Sequence, residues 1–321
     1  MSQPATLLGL AIGDALGAPF EFKNIQLIRR SGWNGDFKPT HRWGGLSKGQ
    51  WTDDTKMAIH LSLAMIEDLG FSQLTTMKQY VKWYDSGDLR GIGGQTNDAL
   101  SRAKMGENLN KCGRIILAGT GFKSNKYCGN GTVMRCAPIG VFLRNDPVKM
   151  VGAAIRDANL THDHQDARDS SVALCMAIKE IIEGGTNSSI AGSAKSLLEN
   201  GNVKTAIDKA VSAFSDRSIT ADDVLRELDE SGRADTTFGT ALWCFLKHRR
   251  NFRDTVIEAV KMGGDTDTRA AIAGAMAGAD VGVEGIPKVY TNGVEDVQYI
   301  HQIDTLLNAG PEKVAEANDC L

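Results

Sequence analysis

The chain has 321 residues, 36 Lys and Arg against 39 Asp and Glu, and a formal charge of −3. That balance excludes a broadly basic nucleic-acid binder, and no direct nucleic-acid binding is expected. With 42% hydrophobic and 23% charged residues, the composition is that of a folded globular protein rather than a disordered one.

The chain opens MSQPATLLGLAIGDALGAPFEF. Its apolar stretch is short, no basic residue precedes it, and Asp14 and Glu21 follow, the reverse of a signal peptide's charge order. Nowhere does an apolar run approach the ~20 residues that span a bilayer. The six cysteines (Cys112, Cys128, Cys136, Cys175, Cys244 and Cys320) form no CxxC pair and no dense framework, so reduced, mostly buried thiols are expected. These features predict a cytoplasmic protein without membrane association.

Helical periodicity dominates the rest of the chain. After Thr52, the apolar positions Met57, Leu61, Ala64 and Met65 fall on one helical face. Helices are predicted next at 72–84, 95–105 and 146–158. Leu174, Ile178, Ile181 and Ile182 repeat the spacing before Gly184-Gly185 stops the run. Further helices are predicted at 203–214, 221–230, 237–249, 252–262, 266–278 and 295–308. Alternating strand patterns are nearly absent, and no segment reads as a βαβ unit. The polar stretch 184–203 carries its own short apolar pattern and is not a linker. The expectation is an all-α fold, a single domain over 1–321 built as an orthogonal helical bundle. Its 35 glycines, above the ~7% of average composition, call for turns or close backbone approach.

Two segments concentrate hydroxyls and carboxylates where helices begin: Gly49-Gln50-Trp51-Thr52-Asp53-Asp54-Thr55 and Gly263-Gly264-Asp265-Thr266-Asp267-Thr268-Arg269. Helix capping explains one or two such side chains, not three or four. Adjacent carboxylates repel unless a cation or proton sits among them. Hard divalent ions suit oxygen ligands, whereas zinc-finger and EF-hand spacings are absent. Brought together, Thr52, Asp53, Asp54, Asp265, Asp267 and Thr268 can hold two Mg²⁺ or Mn²⁺ ions sharing a bridging carboxylate, an arrangement that orients substrate and activates water.

Gly129-Asn130-Gly131 precedes an apolar stretch and can expose backbone N–H groups to phosphate at a helix start, although GNG is also an ordinary turn. It is no Walker A loop, since no GK[ST] follows. His162 and His164 flank Asp163 at a spacing that does not share a helix face. Arg135 suits a phosphate or a structural salt bridge equally. Trp33, Trp43 and Trp51 are candidates for stacking on a base or for the core.

The order GLAIGDALGAPFEF, GQWTDDTKMAIHLS, GNGTVMRCAPIG, THDHQDA and GGDTDTRAAIAGAMAGADVGVEGIP resembles the ADP-ribosylglycohydrolase family over most of the chain. The resemblance implies an all-α fold with a binuclear Mg²⁺ or Mn²⁺ centre that removes ADP-ribose from modified side chains or related conjugates. It assigns Thr52, Asp53, Asp54, Asp265, Asp267 and Thr268 to the metals. It matches Glu21 to an acid that contacts or gates the site. It matches Gly129, Asn130, Gly131, Thr132 and Met134 to the ADP-ribose pocket and His162 to a ligand contact. One departure stands out: in Asp88-Leu89-Arg90-Gly91-Ile92-Gly93, Gly91 occupies a position where some arginine-type members carry an acid. Asp88 and Asp98 are the nearest substitutes.

The expected reaction is hydrolysis between ribose C1″ and an acceptor, foremost a protein arginine. Asp53 or Glu21 would move the proton. The expected partners are an ADP-ribosylated protein and ADP-ribose. The alternatives are another linkage (ADP-ribosyl-serine, O-acetyl-ADP-ribose, poly(ADP-ribose)) and a catalytically silent ADP-ribose-binding protein.

Overall fold

A computed structural model describes residues 2–114, 128–198, 201–229 and 231–319. Among the described residues the fold is all-α. Its extended pairings are isolated bridges, Thr40 with Leu46 and Gly129 with Arg233.

The centre is a helix that periodicity does not reveal. Thr6–Gly17 is buried along its whole length. A helix apolar on every side shows no amphipathic stripe, and glycines lower its intrinsic propensity. Those glycines are what seat it. Gly9, Gly13 and Gly17 fall on one face and press against Thr266–Gly285, a second, largely buried helix. A Cβ on Gly13 would overlap the Ala270 carbonyl, and one on Gly9 the Gly274 carbonyl. From the other side, Gly274 and Gly278 meet the Gly9 and Ala5 carbonyls. Close backbone approach thus accounts for part of the glycine excess. Gly13→Ala is expected to destabilise the fold by about 1–3 kcal/mol, because the obstructing atom is backbone and cannot rotate away. Denaturant unfolding measures this, and an unchanged midpoint would show that the helices separate without cost.

Ala5 provides no side-chain cap for the first helix. Both oxygens of buried Asp304 do so instead, accepting from the Leu7 and Leu8 N–H groups at 2.9 Å. Asp304 lies on Val297–Asp319, which breaks at Gly310. Around the central pair pack Asp53–Glu67, Ala137–Phe142, Gln165–Ile182, Ala234–Lys247 and Phe252–Lys261.

Most predicted helices are present with shifted ends. The one placed at 146–158 runs Pro147–Thr161, and that at 266–278 reaches Gly285 past a break at Gly282. The polar stretch contributes Asn187–Lys195, opened by a reciprocal Thr186–Ser189 capping box. The five cysteines among the described residues are buried and unbridged, and Cys320 lies outside them. No helix among the described residues is long and apolar enough to cross a membrane.

Candidate active site

The tight pairing of the two central helices sets Asp14, Glu21 and the Asp265–Thr268 segment beside one another. Thr52 and Asp265 occupy the N-cap positions of their helices, yet neither side chain makes a capping hydrogen bond. Capping therefore does not explain the acids. The start of Asp53–Glu67 is capped from a different helix. Asp14 accepts from the Thr52 and Thr55 N–H groups at 3.0 and 3.1 Å and from their hydroxyls at 2.8 and 2.6 Å. That cap fixes the first turn, on which Asp53 and Asp54 stand. At the second helix start, Gly263 and Gly264 both take left-handed backbone (φ 72° and 64°), which favours glycine. The Gly264 carbonyl accepts from Phe22 N–H at 2.7 Å and so ties the Glu21 segment to Asp265.

These elements form one wall of a cleft of about 480 Å³, lined by Glu21, Asp53, Asp54, Asp265, Asp267 and Thr268. All five carboxylates are buried. Oxygens of Glu21, Asp265 and Asp267 lie within 4.8 Å of one another. Asp54 Oδ1 is buried without a hydrogen-bond partner, and Glu21 Oε2 has no hydrogen bond and only an ion pair with Arg42 at 3.5 Å. Burial, then Asp265, pushes the Glu21 carboxyl up to about 8, against the pull of Arg42. Burial and Asp14 push Asp53 to about 8 as well. Asp54 rises well above the carboxylate range through burial and the charges of Asp14, Asp53 and Asp265. Asp267 does so through burial and Glu21. Such a cluster keeps its charge only where cations compensate it, and its unpartnered Asp54 oxygen fits a hard divalent ion. Thr52, predicted as a ligand, is fully buried with its hydroxyl on Asp14 and does not line the cleft.

The glycine loop lines the same cleft. Asn130 N–H donates to the Gly232 carbonyl at 3.1 Å, beside the Gly129–Arg233 bridge. Its side-chain amide donates to Asp265 Oδ2 at 2.8 Å and Thr237 Oγ1 at 3.2 Å, joining the loop to the carboxylates. The segment is not a helix start: the next helix begins at Ala137, and the Asn130 amide proton is already engaged. Gly129, Gly131, Met134 and His162 line the cleft. Thr132 does not, since it is fully buried with its hydroxyl donating to the Ala167 carbonyl at 3.2 Å. A Cβ at Gly131 would sit 2.8 Å from His162 Cε1, so glycine lets the imidazole close against the loop.

His162 is held neutral, its pKa lowered to about 3 by burial and then by Arg135 and His164. Its Nδ1 lies 2.9 Å from Thr161 Oγ1, which accepts from Arg135 at 2.8 Å and keeps its own proton to give. His164 instead caps Gln165–Ile182 by accepting from Asp166 N–H at 3.0 Å. Arg135 resolves as a buried strut rather than a phosphate contact. It donates to Asp157 Oδ2, the Asp157 carbonyl and the Gly131 carbonyl at 2.9–3.0 Å and stacks on Tyr80.

Several functional positions escape sequence reading. Asp14 is the main one, and its signal is an acid inside an otherwise apolar run. Phe22 and residues 92–96 also line the cleft, and of the three tryptophans singled out in the sequence Trp43 does so. Trp33 and Trp51 are core residues with their indole N–H groups on the Asp36 and Glu295 carbonyls at 2.7 and 3.1 Å. Gly91 has φ 89°, and a Cβ there would overlap Asp53 Oδ1. This backbone therefore has no room for an acid at that position. Asp88 is paired with Lys56 and Arg90, and Asp98 with Arg102; neither lines the cleft.

A model of the ADP-ribosylglycohydrolase family matches residues 5–316. The chain is 26% identical to ADP-ribosylarginine hydrolase Tri1 of Pseudomonas putida, over 92% of this chain and 75% of that protein. It is 25% identical to ADP-ribosyl-[dinitrogen reductase] glycohydrolase of Rhodospirillum rubrum, over 94% and 93% of the two chains. A solved structure described as an ADP-ribosylglycohydrolase-related protein complex superposes with a TM-score of 0.70 at 26% identity, covering 95% of each chain.

Proposed function

The chain belongs to the ADP-ribosylglycohydrolase family and is an ADP-ribosyl hydrolase, and from that premise we propose a metal-dependent enzyme that releases ADP-ribose from protein arginine. The observation that carries this reading is a cluster of buried carboxylates that lines one cleft together with Asn130 and His162. Asp53, Asp54, Asp265, Asp267 and Thr268 are the metal set. Thr52 joins them, since its hydroxyl oxygen retains a lone pair after donating to Asp14. Held by these residues, two divalent ions, Mg²⁺ or Mn²⁺, would supply charge compensation, a template for the ribose hydroxyls and acidification of a water.

The chain's own groups do the rest. His162 and the Gly129–Gly131 and Met134 surface hold the ADP-ribose, with Thr132 bracing the loop from behind. Asp53 or Glu21, both lining the cleft, takes or delivers the proton at the scissile bond. Positive charge developing at C1″ is stabilised by the surrounding carboxylates. The cleavage leaves ADP-ribose with a C1″ hydroxyl and restores the unmodified side chain.

Arginine as acceptor is supported by the arginine-hydrolase relative and by the attraction of a cationic guanidinium to an acidic cleft. A second reading, a neutral linkage such as serine, is favoured by Gly91 and by the commitment of Asp88 and Asp98 elsewhere. Two peptides differing only in the linked residue separate the readings. The arginine conjugate is expected to be cleaved at least about tenfold faster, equivalent to ~1.4 kcal/mol of transition-state preference. Faster release from serine would reassign the acceptor, and no release from any conjugate would leave a silent binding protein.

A further inference from the structure

Two loops build the mouth of the cleft. Phe22 follows Glu21 in left-handed backbone (φ 53°), with its ring 60% exposed at the rim. Residues 40–46 form a small loop closed at its base by Thr40 and Leu46, whose N–H groups and carbonyls pair at 3.0 and 2.7 Å. The tip carries Arg42 and Trp43, the latter also left-handed (φ 57°). The Trp43 ring lines the cleft, and its indole N–H has no hydrogen-bond partner. The Arg42 guanidinium lies 4.6 Å from the Trp43 ring centroid and 5.6 Å from that of Phe22. One of its nitrogens donates to the Glu21 carbonyl, and another is 3.5 Å from Glu21 Oε2.

A guanidinium over aromatic rings and against a buried carboxylate is the chemistry that recognises arginine. The geometry points to this seat as the acceptor-arginine subsite, which Arg42 fills in the free protein and yields to the substrate's guanidinium. The inference rests on the arginine reading and extends it to named residues. Its position fits: Glu21 is the inner wall of the seat and also stands within 4.8 Å of the Asp265 and Asp267 oxygens, so the seat lies just outside the metal carboxylates. The alternative acids do not compete, because Asp88 and Asp98 are paired away from the cleft. The exchange replaces one guanidinium with another, so no carboxylate is left unpaired when Arg42 departs. No atom packs where a Cβ would stand on Gly44 or Gly45, directly after Trp43, so the space beside the tip is open. Arg42 thus sets a threshold: an acceptor must bind the seat better than the chain's own side chain does.

Calorimetry tests this in the presence of Mg²⁺, with ADP-ribose titrated first and arginine methyl ester second. ADP-ribose is expected to bind the wild type and Arg42→Gln alike. Arginine methyl ester is expected to bind Arg42→Gln roughly tenfold more tightly, because the internal competitor is gone. Adding Trp43→Ala should reverse about two- to fivefold of that gain, the worth of an exposed cation–π contact. Arg42→Lys, which keeps the charge but loses the planar fork, should fall between wild type and Arg42→Gln. In turnover, Arg42→Gln should lower KM for an ADP-ribosyl-arginine peptide and leave that for the serine peptide within twofold. Equal or weaker arginine methyl ester binding by Arg42→Gln, with ADP-ribose binding intact and melting temperature unchanged, overturns the seat and spares the hydrolase reading. Failure of the wild type to bind ADP-ribose removes both.

Discussion

Asp265→Ala and Asp54→Ala are each expected to lower ADP-ribose release by about three orders of magnitude or more while the protein stays folded. A lost metal ligand removes several kcal/mol of transition-state charge stabilisation, and each ~1.4 kcal/mol is a factor of ten. Folding should survive for a reason visible in the cluster. Asp54 is buried beside Asp14, Asp53 and Asp265, and those like charges, added to desolvation, hold its carboxyl well above the usual range. Removing a group whose charged form is disfavoured relieves repulsion. Asp265 accepts from Asn130, but the Asn130 amide keeps its second partner, Thr237 Oγ1, at 3.2 Å. Circular dichroism, Mn²⁺ titration and a hydrolysis assay read the three consequences separately. Unfolding of both variants, or activity near that of the wild type, would return these acids to a purely structural role at helix starts.

Glu21→Gln should reduce kcat by about 10²–10⁴ while changing ADP-ribose affinity only a few-fold, the signature of a lost proton transfer. The same variant carries a pH test. Burial, then Asp265, lifts the Glu21 carboxyl to about 8 in the folded chain, above its ordinary value near 4.5. A carboxyl with raised folded pKa stabilises the fold fully below its unfolded pKa, and that contribution is lost as pH rises through the folded pKa. In chelator, the wild type should therefore lose thermal stability between about pH 4.5 and 8. Glu21→Gln, neutral throughout, should show a shallower loss over that window. Restoring divalent cation should recover stability most at the alkaline end, where the carboxylates are charged. An unchanged kcat together with an unchanged stability slope would make Glu21 a bystander.

The geometry adds to the reading of two residues. Sequence reading treats Glu21 as a proton carrier alone, whereas its oxygens lie within 4.8 Å of those of Asp265 and Asp267. Thr52, read as a ligand, also donates its hydroxyl hydrogen to Asp14. Asp14 emerges as the residue that positions the TDDT turn, and through it both Asp53 and Asp54.

What the sequence determines by itself is whatever local pattern can encode. Amphipathic spacing marks Asp53–Glu67 and Gln165–Ile182, and surplus acids flag two helix starts that capping cannot account for. The ordered motifs identify the family and hence the kind of bond that is cleaved. Tertiary structure alone decides which distant residues meet. Thr6–Gly17 is buried on all sides, so it carries no periodic signal, and its glycines are explained only by the carbonyls of a helix near the other end of the chain. Asp14 reaches Thr52 across 38 positions, and Asn130 reaches Asp265 across 135. The Arg42 guanidinium is an ordinary surface charge in the sequence until the fold lays it over Trp43 and against Glu21. Periodicity reports which face of an element is apolar. The approach of one backbone to another, and the charge that results, depends on contacts between elements that no local window contains.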